Sequence, residues 1–339
     1  MRIDVTLNTD DKYCQHAAAM LCSLFEHNKE HTVYTHILIN SLSDDNQAFL
    51  IGLGKRYNAI VTFYKVDETN LQNVKFRANR PLSKAAYYRI LLSSILDASI
   101  KTVLYLDCDM IVLDDVSDLF KLEIEDYALA ASLDMFPLSD LHRRQLHISV
   151  GEKTFCSGIM LINLDYWRRK GCEEKLIEYA NRDRERVFYH DQDALNYVFK
   201  GKWFMIPPKW NRSAYFPVAQ NSPYYLDFDF YEYKYKPKVI HYSDAKMKPW
   251  LNCRSCNKRF YVEYLHKSNF PNPKFDKVPS ALKRKCATRM VVYWLEYYIY
   301  PYLPNLIRII FDDIKDIIKL PSDIRHKTRV RSLSNYKRV

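Results

Sequence analysis

The sequence predicts an α/β fold built on a mostly parallel central sheet, and three observations predict it. Strand-type and helix-type periodicities alternate from Ile3 to Leu106, the pattern of doubly wound sheets. The apolar run Val103-Leu-Tyr-Leu106 stops abruptly at Asp107-Cys-Asp109, as a buried parallel strand does where it emerges at its carboxyl end. Finally, 339 residues with 48% hydrophobic and 27% charged side chains and only 6 glycines describe a chain that buries a substantial core rather than a disordered one.

The elements follow in order. Ile3, Val5 and Leu7 alternate with polar residues in a half-buried first strand that ends at Asn8-Thr-Asp-Asp11. Residues 13–27 carry a helical pattern, and 33–39 read as a strand. Ser43 is placed to cap a helix through about Arg56, and Ile60–Val66 is the next strand. Ser83 is placed to cap a helix through Leu96, which leads to the strand at 103–106. Residues 134–155 read as irregular, with Pro137, several histidines and Arg143-Arg144; 159–164 is strand-like, and a helix begins near Tyr166. From 203 to 250 tyrosine and proline accumulate in long connections, the texture of a pocket wall or acceptor groove.

Asp107 and Asp109 stand two apart, so on extended backbone their carboxylates face the same side. Two such groups repel unless a cation lies between them. Hard oxygen donors suit Mg²⁺ or Mn²⁺, which in turn suit a diphosphate. Taken alone, the pair is also compatible with two solvated acids at a strand end. No Gly-x-Gly-x-x-Gly or Walker loop is present, which argues against an ordinary dinucleotide or P-loop site.

Met1-Arg-Ile-Asp-Val-Thr-Leu has neither an apolar core nor a small-residue cleavage site, so no signal peptide is expected, and no run reaches the ~18 apolar residues of a spanning helix. The 8 cysteines are then expected as reduced thiols in a cytoplasm. Cys253-Arg-Ser-Cys256 has metal-like spacing but lacks a second pair; His266 and Cys286 complete a zinc site only if folding brings them there, and free cysteines are the default.

Four segments in this order are similar to glycosyltransferase family 8, most of all to bacterial lipopolysaccharide and lipooligosaccharide galactosyl- and glucosyltransferases. They are Tyr87-Tyr-Arg-Ile-Leu with Tyr105-Leu-Asp-Cys-Asp-Met-Ile-Val, Phe155-Cys-Ser-Gly-Ile-Met-Leu-Ile-Asn-Leu-Asp-Tyr-Trp-Arg, His190-Asp-Gln-Asp-Ala-Leu-Asn, and Ile240-His-Tyr with Lys248-Pro-Trp. The likeness spans roughly residues 1–265. It implies a GT-A fold, the Rossmann-like architecture of nucleotide-diphospho-sugar transferases, with a UDP-sugar donor, galactose or glucose as the hexose, Mn²⁺ (or Mg²⁺) and retention of anomeric configuration.

By the same resemblance Asp107, Asp109 and His241 are the metal ligands, and Lys248 contacts the diphosphate. His241 read by itself is more often a satisfied strand-end histidine, and Lys248 a solvated lysine. Arg89 and Asp191 match residues that hold the donor sugar; Asp191 is equally suited to the first turn of the helix it opens. Gln192 matches the residue beside the reacting carbon, and Asp193 is a carboxylate one position on. An amide is a poor nucleophile, so front-face attack without a covalent glycosyl-enzyme is expected. Asn8, Asp10 and Asp11 fall where the uracil and ribose lie.

Two departures stand out. The five residues Ser243-Asp-Ala-Lys-Met247 replace a loop commonly of four residues with a glycine, so Lys246 is an alternative to Lys248. Cys156 stands where asparagine is common, and a thiol is a weak hydrogen-bonding group.

The net charge of +11 is concentrated at the end: residues 283–339 hold 13 Lys/Arg against 5 Asp/Glu. Leu306, Ile307, Ile310, Phe311, Ile314, Ile317 and Ile318 form one helical stripe, preceded by aromatics from Tyr293 to Tyr302 and followed by a basic end. Together these predict a helical appendage, 266–339, attached to the transferase domain 1–265. Its part 290–339 would bind an anionic membrane surface, placing the enzyme on the inner face of the cytoplasmic membrane near a lipid-linked or oligosaccharide acceptor. A helix packed on the protein's own core is the competing reading. A self-glucosylating or protein-glycan transferase remains an alternative, and a nucleic-acid-binding protein is disfavoured because the charge is confined to the tail.

Overall fold

The structure, a computed structural model, describes residues 1–74, 84–135, 138–182, 187–214, 230–244, 248–251 and 257–277. The first unit is β1 (Arg2–Asn8), α1 (Cys14–His27), β2 (Thr32–Ile39), α2 (Asp44–Arg56) and β3 (Ile60–Lys65). A 3₁₀ helix, Lys84–Leu91, continues into α3 (Leu92–Ile95), followed by β4 (Thr102–Leu106), β5 (Met110–Val112) and β6 (Leu129–Leu133). Then come α4 (Asp140–Gln145), β7 (Phe155–Asn163), α5 (Leu164–Lys170), α6 (Cys172–Asn181), α7 (Asp191–Val198) and β8 (Trp203–Ile206). The remaining elements are β9 (Arg212–Ser213), α8 (Phe230–Tyr235), β10 (Val239–His241) and α9 (Lys258–Ser268).

Seven strands form the central sheet in the order β3-β2-β1-β4-β7-β6-β8. All its pairs are parallel except those of β7, which runs against both β4 and β6. The order reverses between β1 and β4, the crevice where open α/β sheets place their ligands. A small sheet, β5-β10-β9, stands beside that crevice. Alternation along β4 sends Leu104 and Leu106 to one core and Val103 and Tyr105 to the other. The sheet is therefore covered on both faces.

Helix α1 is buried from Cys14 to Phe25. Its Ala17-Ala18-Ala19 lie within the core beneath the sheet, while α9 closes the opposite side through Tyr261 on His16 (2.7 Å) and Tyr264 on His27 (2.8 Å). The chain beyond α9 returns to α1, with the Lys274 N–H donating to Gln15 Oε1 (2.9 Å). Helix α9 thus crosses position 265, and residues to at least Lys274 pack on the main body.

The structure corrects several element boundaries. Residues 84–91 wind as 3₁₀, not α, and bury Tyr87 through Leu91 on consecutive positions. The strand expected at 159–164 begins at Phe155, the low strand propensity of Cys156-Ser-Gly158 being overridden by pairing with β6 and β4. Helix α5 begins at Leu164, two residues before Tyr166, because the Asn163 side chain accepts the Tyr166 N–H at 2.9 Å. The irregular 134–155 segment contains α4, capped by Ser139. Among the described residues no helix is long and apolar enough to cross a membrane, and Cys14, Cys22, Cys108, Cys156 and Cys172 are free thiols. Ser83, Lys246, Cys253, Cys256, Cys286 and the whole tail 290–339 lie outside the described residues.

Candidate active site

Strand β4 delivers the two acids to the crevice. The Asp107 N–H donates to Gly158 O of β7, and the Asp109 carbonyl accepts the Tyr242 N–H, both at 2.9 Å. Pairing of β10 with β5 sets His241 opposite Met110. One ligand atom each from Asp107, Asp109 and His241 then lies within 4.8 Å of the others. His241 Nδ1 is 3.0 Å from Asn211 Oδ1, while Nε2 faces Asp109 Oδ1 (3.4 Å) and Asp107 Oδ2 (3.8 Å). An amide oxygen on Nδ1 holds a proton there, which leaves Nε2, the nitrogen turned toward the acids, as the one that would give up its proton to take a cation. Gly158 makes the approach possible, because a Cβ there would meet His241 Cε1 at 2.4 Å.

The groups of this cluster are strongly coupled by charge. Burial would lower the His241 pKa, but Asp109 overrides it and pushes it up to about 10. Burial would raise Asp109, yet Lys248 and His241 hold it far below the usual carboxylate range. Lys248 Nζ sits directly on Asp109 Oδ2 and also donates to Tyr242 O (2.8 Å). Two carboxylates and one imidazole, with a cationic side chain drawn into their midst, fit a divalent cation of the Mn²⁺ or Mg²⁺ type.

Arg89 links this cluster to a second one. The 3₁₀ helix buries its guanidinium, which donates to Asp107 Oδ1 (2.8 Å), pairs with Asp191 Oδ2 (3.2 Å), reaches Ser157 O (2.8 Å) and lies 4.2 Å from the Tyr105 ring centre. Burial would lower its pKa; the two carboxylates keep it raised and permanently charged. Asp191 opens α7, and burial pushes its carboxyl up to about 6 against the pull of Arg89. Gln192 is fixed at both ends of its amide: Oε1 accepts the Ser157 N–H (3.0 Å) and Nε2 donates to Asp134 Oδ2 (2.8 Å). Cys156 is half-buried, its Sγ 3.9 Å from His241 Nδ1.

The remaining expected residues fall in two places. Asn8 Oδ1 accepts from Tyr105 OH (2.5 Å), and that hydroxyl also reaches Asp107 Oδ1 (2.9 Å), so Asn8 is linked through Tyr105 to the Asp107–Asp109–His241 cluster. Asp10 accepts the Tyr13 N–H (2.9 Å). Asp11 instead accepts the Ser43 N–H (3.0 Å), the Ser43 hydroxyl and the Asn46 amide, holding down the start of α2, and those bonds lower its pKa. Asp193 turns away from Asp191 and Gln192: its carboxylate takes His142 Nε2 (2.8 Å) and the N–H groups of Phe188 and Tyr189. The structure thus brings together Asn8, Arg89, Asp107, Asp109, Cys156, Asp191, Gln192, His241 and Lys248, and sets Asp11 and Asp193 apart.

Sequence reasoning missed Asn211, Ser157, Asp134, Gly158 and Tyr13. The first three act on their partners from distant loops and strand ends, with no spacing signal. Tyr13 was more legible, as the aromatic immediately after Asp10-Asp-Lys; the residue is 41% exposed and its ring meets that of Trp250 edge-on at 5.9 Å.

A family model described as Glycosyl transferase family 8 matches residues 4–254. General stress protein A of Bacillus subtilis is 32% identical over 265 residues, covering 76% of this chain and 90% of that protein. A lipopolysaccharide 1,2-glucosyltransferase of Escherichia coli is 27% identical over 255 residues, 73% of each chain. The fold is shared with the galactosyltransferase LgtC solved with donor and acceptor sugar analogues: TM-score 0.69, 24% identity, 84% of this chain and 100% of that one.

Proposed function

The chain belongs to glycosyl transferase family 8, and from that premise we propose that it transfers galactose or glucose from a UDP-sugar to a lipopolysaccharide-core or other surface-glycan acceptor, with retention and with Mn²⁺. The observation that carries the reading is the convergence of Asp107, Asp109 and His241 at the sheet's switch point. The name of the Escherichia coli relative supports the acceptor class.

In this reading Asp107, Asp109 and His241 hold the cation, with Mg²⁺ as the alternative ion. Bound there, it neutralises the diphosphate and stabilises UDP as leaving group. Asn8 and Asp10 face the nucleoside, Asp11 fixes the loop that carries them, and the exposed Tyr13 ring offers a stacking surface to the base. Lys248, or Lys246 from the same loop, supplies a fixed cation to the phosphates. Arg89 keeps Asp191 oriented, and Asp191 accepts from a sugar hydroxyl. A site built to hydrogen-bond one hydroxyl strongly rejects analogues that leave its buried groups unpaired. Cys156 lines the sugar side with a thiol where an amide would make a stronger contact.

Gln192, fixed by Ser157 and Asp134, is an amide and does not act as nucleophile. The acceptor oxygen bonds to the anomeric carbon on the face from which UDP leaves. The bond to the β-phosphate oxygen breaks with its electrons on that oxygen, which takes the acceptor's proton. Residues 290–339 anchor the enzyme to an anionic inner-leaflet surface, within reach of a lipid-linked acceptor.

The test is UDP release from a panel of UDP-sugars with Mn²⁺ and with chelator, for wild type and Asp109→Asn. One hexose is expected to dominate, with release falling on the order of 10³-fold on chelation or substitution. Release that survives both removes the metal-dependent reading.

A further inference from the structure

We propose that the buried pair His142–Asp193 is a clamp that holds a strained turn, Tyr189–Gln192, and thereby aims Asp191 and Gln192 into the site. The inference rests on the glycosyltransferase reading only for what the turn is aimed at. The clamp itself stands on backbone and hydrogen-bond geometry.

His190 has φ 51° and ψ −116°. With the Gln192 N–H donating to Tyr189 O at 3.0 Å, it occupies the first central position of a type II′ turn. That position belongs to glycine, because a Cβ there crowds the backbone. Four of the other five non-glycine residues with positive φ among those described are asparagines. Asn257 and Asn269, with ψ of 12° and 33°, lie in the left-handed region that asparagine tolerates. His190 has no such excuse, and strain of this kind persists only where the surroundings over-determine it.

The surroundings do so through Asp193. One carboxylate oxygen accepts the N–H groups of Phe188 (3.2 Å) and Tyr189 (3.1 Å), tying the turn's entry to the first turn of α7. The other takes His142 Nε2 at 2.8 Å, and both side chains are about 3% exposed. The His142 ring also stacks on Phe188 (4.2 Å, 13°) and meets Tyr189 edge-on (5.1 Å). A side chain from α4 therefore braces three positions around His190. Immediately beyond it, Asp191 reaches Arg89 and Gln192 reaches Ser157 and Asp134. A glycine at 190 would accept the turn but also many other conformations, leaving both side chains less firmly directed. His142 and Asp193 are thus positioning residues.

The test is a double-mutant cycle on the full chain: wild type, His142→Phe, His190→Gly and the double variant, with His142→Gln as the conservative change. His142→Phe keeps a ring on Phe188 and loses the hydrogen bond. It should lower the thermal midpoint by about 4–8 °C. The loss should be at most half as large in the His190→Gly background, where the turn needs no brace. Equal losses in both backgrounds overturn the clamp, and this arm needs no substrate. In turnover of a UDP-sugar, His142→Phe should lower kcat on the order of 10- to 100-fold with UDP–Mn²⁺ affinity unchanged. His142→Gln, which can still donate to Asp193, should recover most of it. A lowered midpoint with unchanged kcat overturns the aiming role. Absence of turnover in wild type counts against the glycosyltransferase reading, and the midpoints still decide the clamp.

Discussion

Lys248 carries the sharpest consequence of the site's electrostatics. Its ammonium group sits on Asp109, a carboxylate that the proposed cation also needs. Replacing it with an uncharged chain removes the competitor, so Lys248→Met should bind Mn²⁺ more tightly in the absence of nucleotide, by roughly tenfold, or about 1.4 kcal/mol. Calorimetric or paramagnetic titration reads this directly; unchanged or weaker Mn²⁺ binding speaks against it. A second residue sets a pH limit far from the site. Burial would raise the Asp4 carboxyl, but His36 Nε2 at 3.0 Å and the Arg2 guanidinium at 2.8 Å hold its pKa below the usual value. A depressed folded-state pKa contributes stability above the unfolded carboxylate value, about 3.9, and that contribution is lost as pH falls through the folded value. Asp4→Asn should therefore lower the midpoint at pH 7 by about 2–4 °C and make the acid limb of the midpoint-versus-pH curve shallower. Parallel curves for the two proteins would refute this. Asp107 and Asp109 were legible because their spacing is itself the chemistry. Asn211 was not, since an asparagine gains meaning only from the imidazole nitrogen that folding sets 3.0 Å away.

At the scale of elements, β7 decides more than its sequence suggests. Its reversed direction lets one short segment serve four partners: Gly158 O takes the Asp107 N–H, Ser157 holds Arg89 and Gln192, and Gly158 lets His241 approach. A methyl at 158 would meet His241 Cε1 at 2.4 Å and Met110 Cε at 2.8 Å. Gly158→Ala should leave the sheet paired yet weaken UDP–Mn²⁺ binding at least about tenfold, because the imidazole must shift and metal sites tolerate little displacement. Circular dichroism with calorimetry checks both halves, and full-strength binding would rule out this spacing role. The helix carrying Arg89 is secured just as indirectly. Glu173 of α6 accepts from both serine hydroxyls and the Ser94 N–H of α3, while Arg168 of α5 donates to carbonyls from Ser93 to Ile100. Periodicity located a helix in this stretch, but the winding of its first part, Lys84–Leu91, as 3₁₀ belongs to the folded chain.

For the whole molecule, the proposed division of labour is a transferase body and a membrane-binding tail. Deleting 290–339 should leave transfer to a soluble acceptor analogue within about twofold of wild type, while binding to anionic vesicles is lost. A truncated protein that still sediments with such vesicles contradicts the anchor. The order of strands and helices in the body, the mostly parallel sheet and the acids at the end of β4 were determined by the sequence, because alternation, apolar runs and abrupt charge are local signals. The likeness in four ordered segments added the family, which the match over residues 4–254 bears out. Tertiary structure decided what local signals cannot carry. It reversed β7, drew Asp193 away to His142, gave Asp11 to the start of α2, and brought Asn211, Ser157 and Asp134 to their partners. Each of these depends on which atoms meet across long stretches of chain, and only the folded chain fixes that.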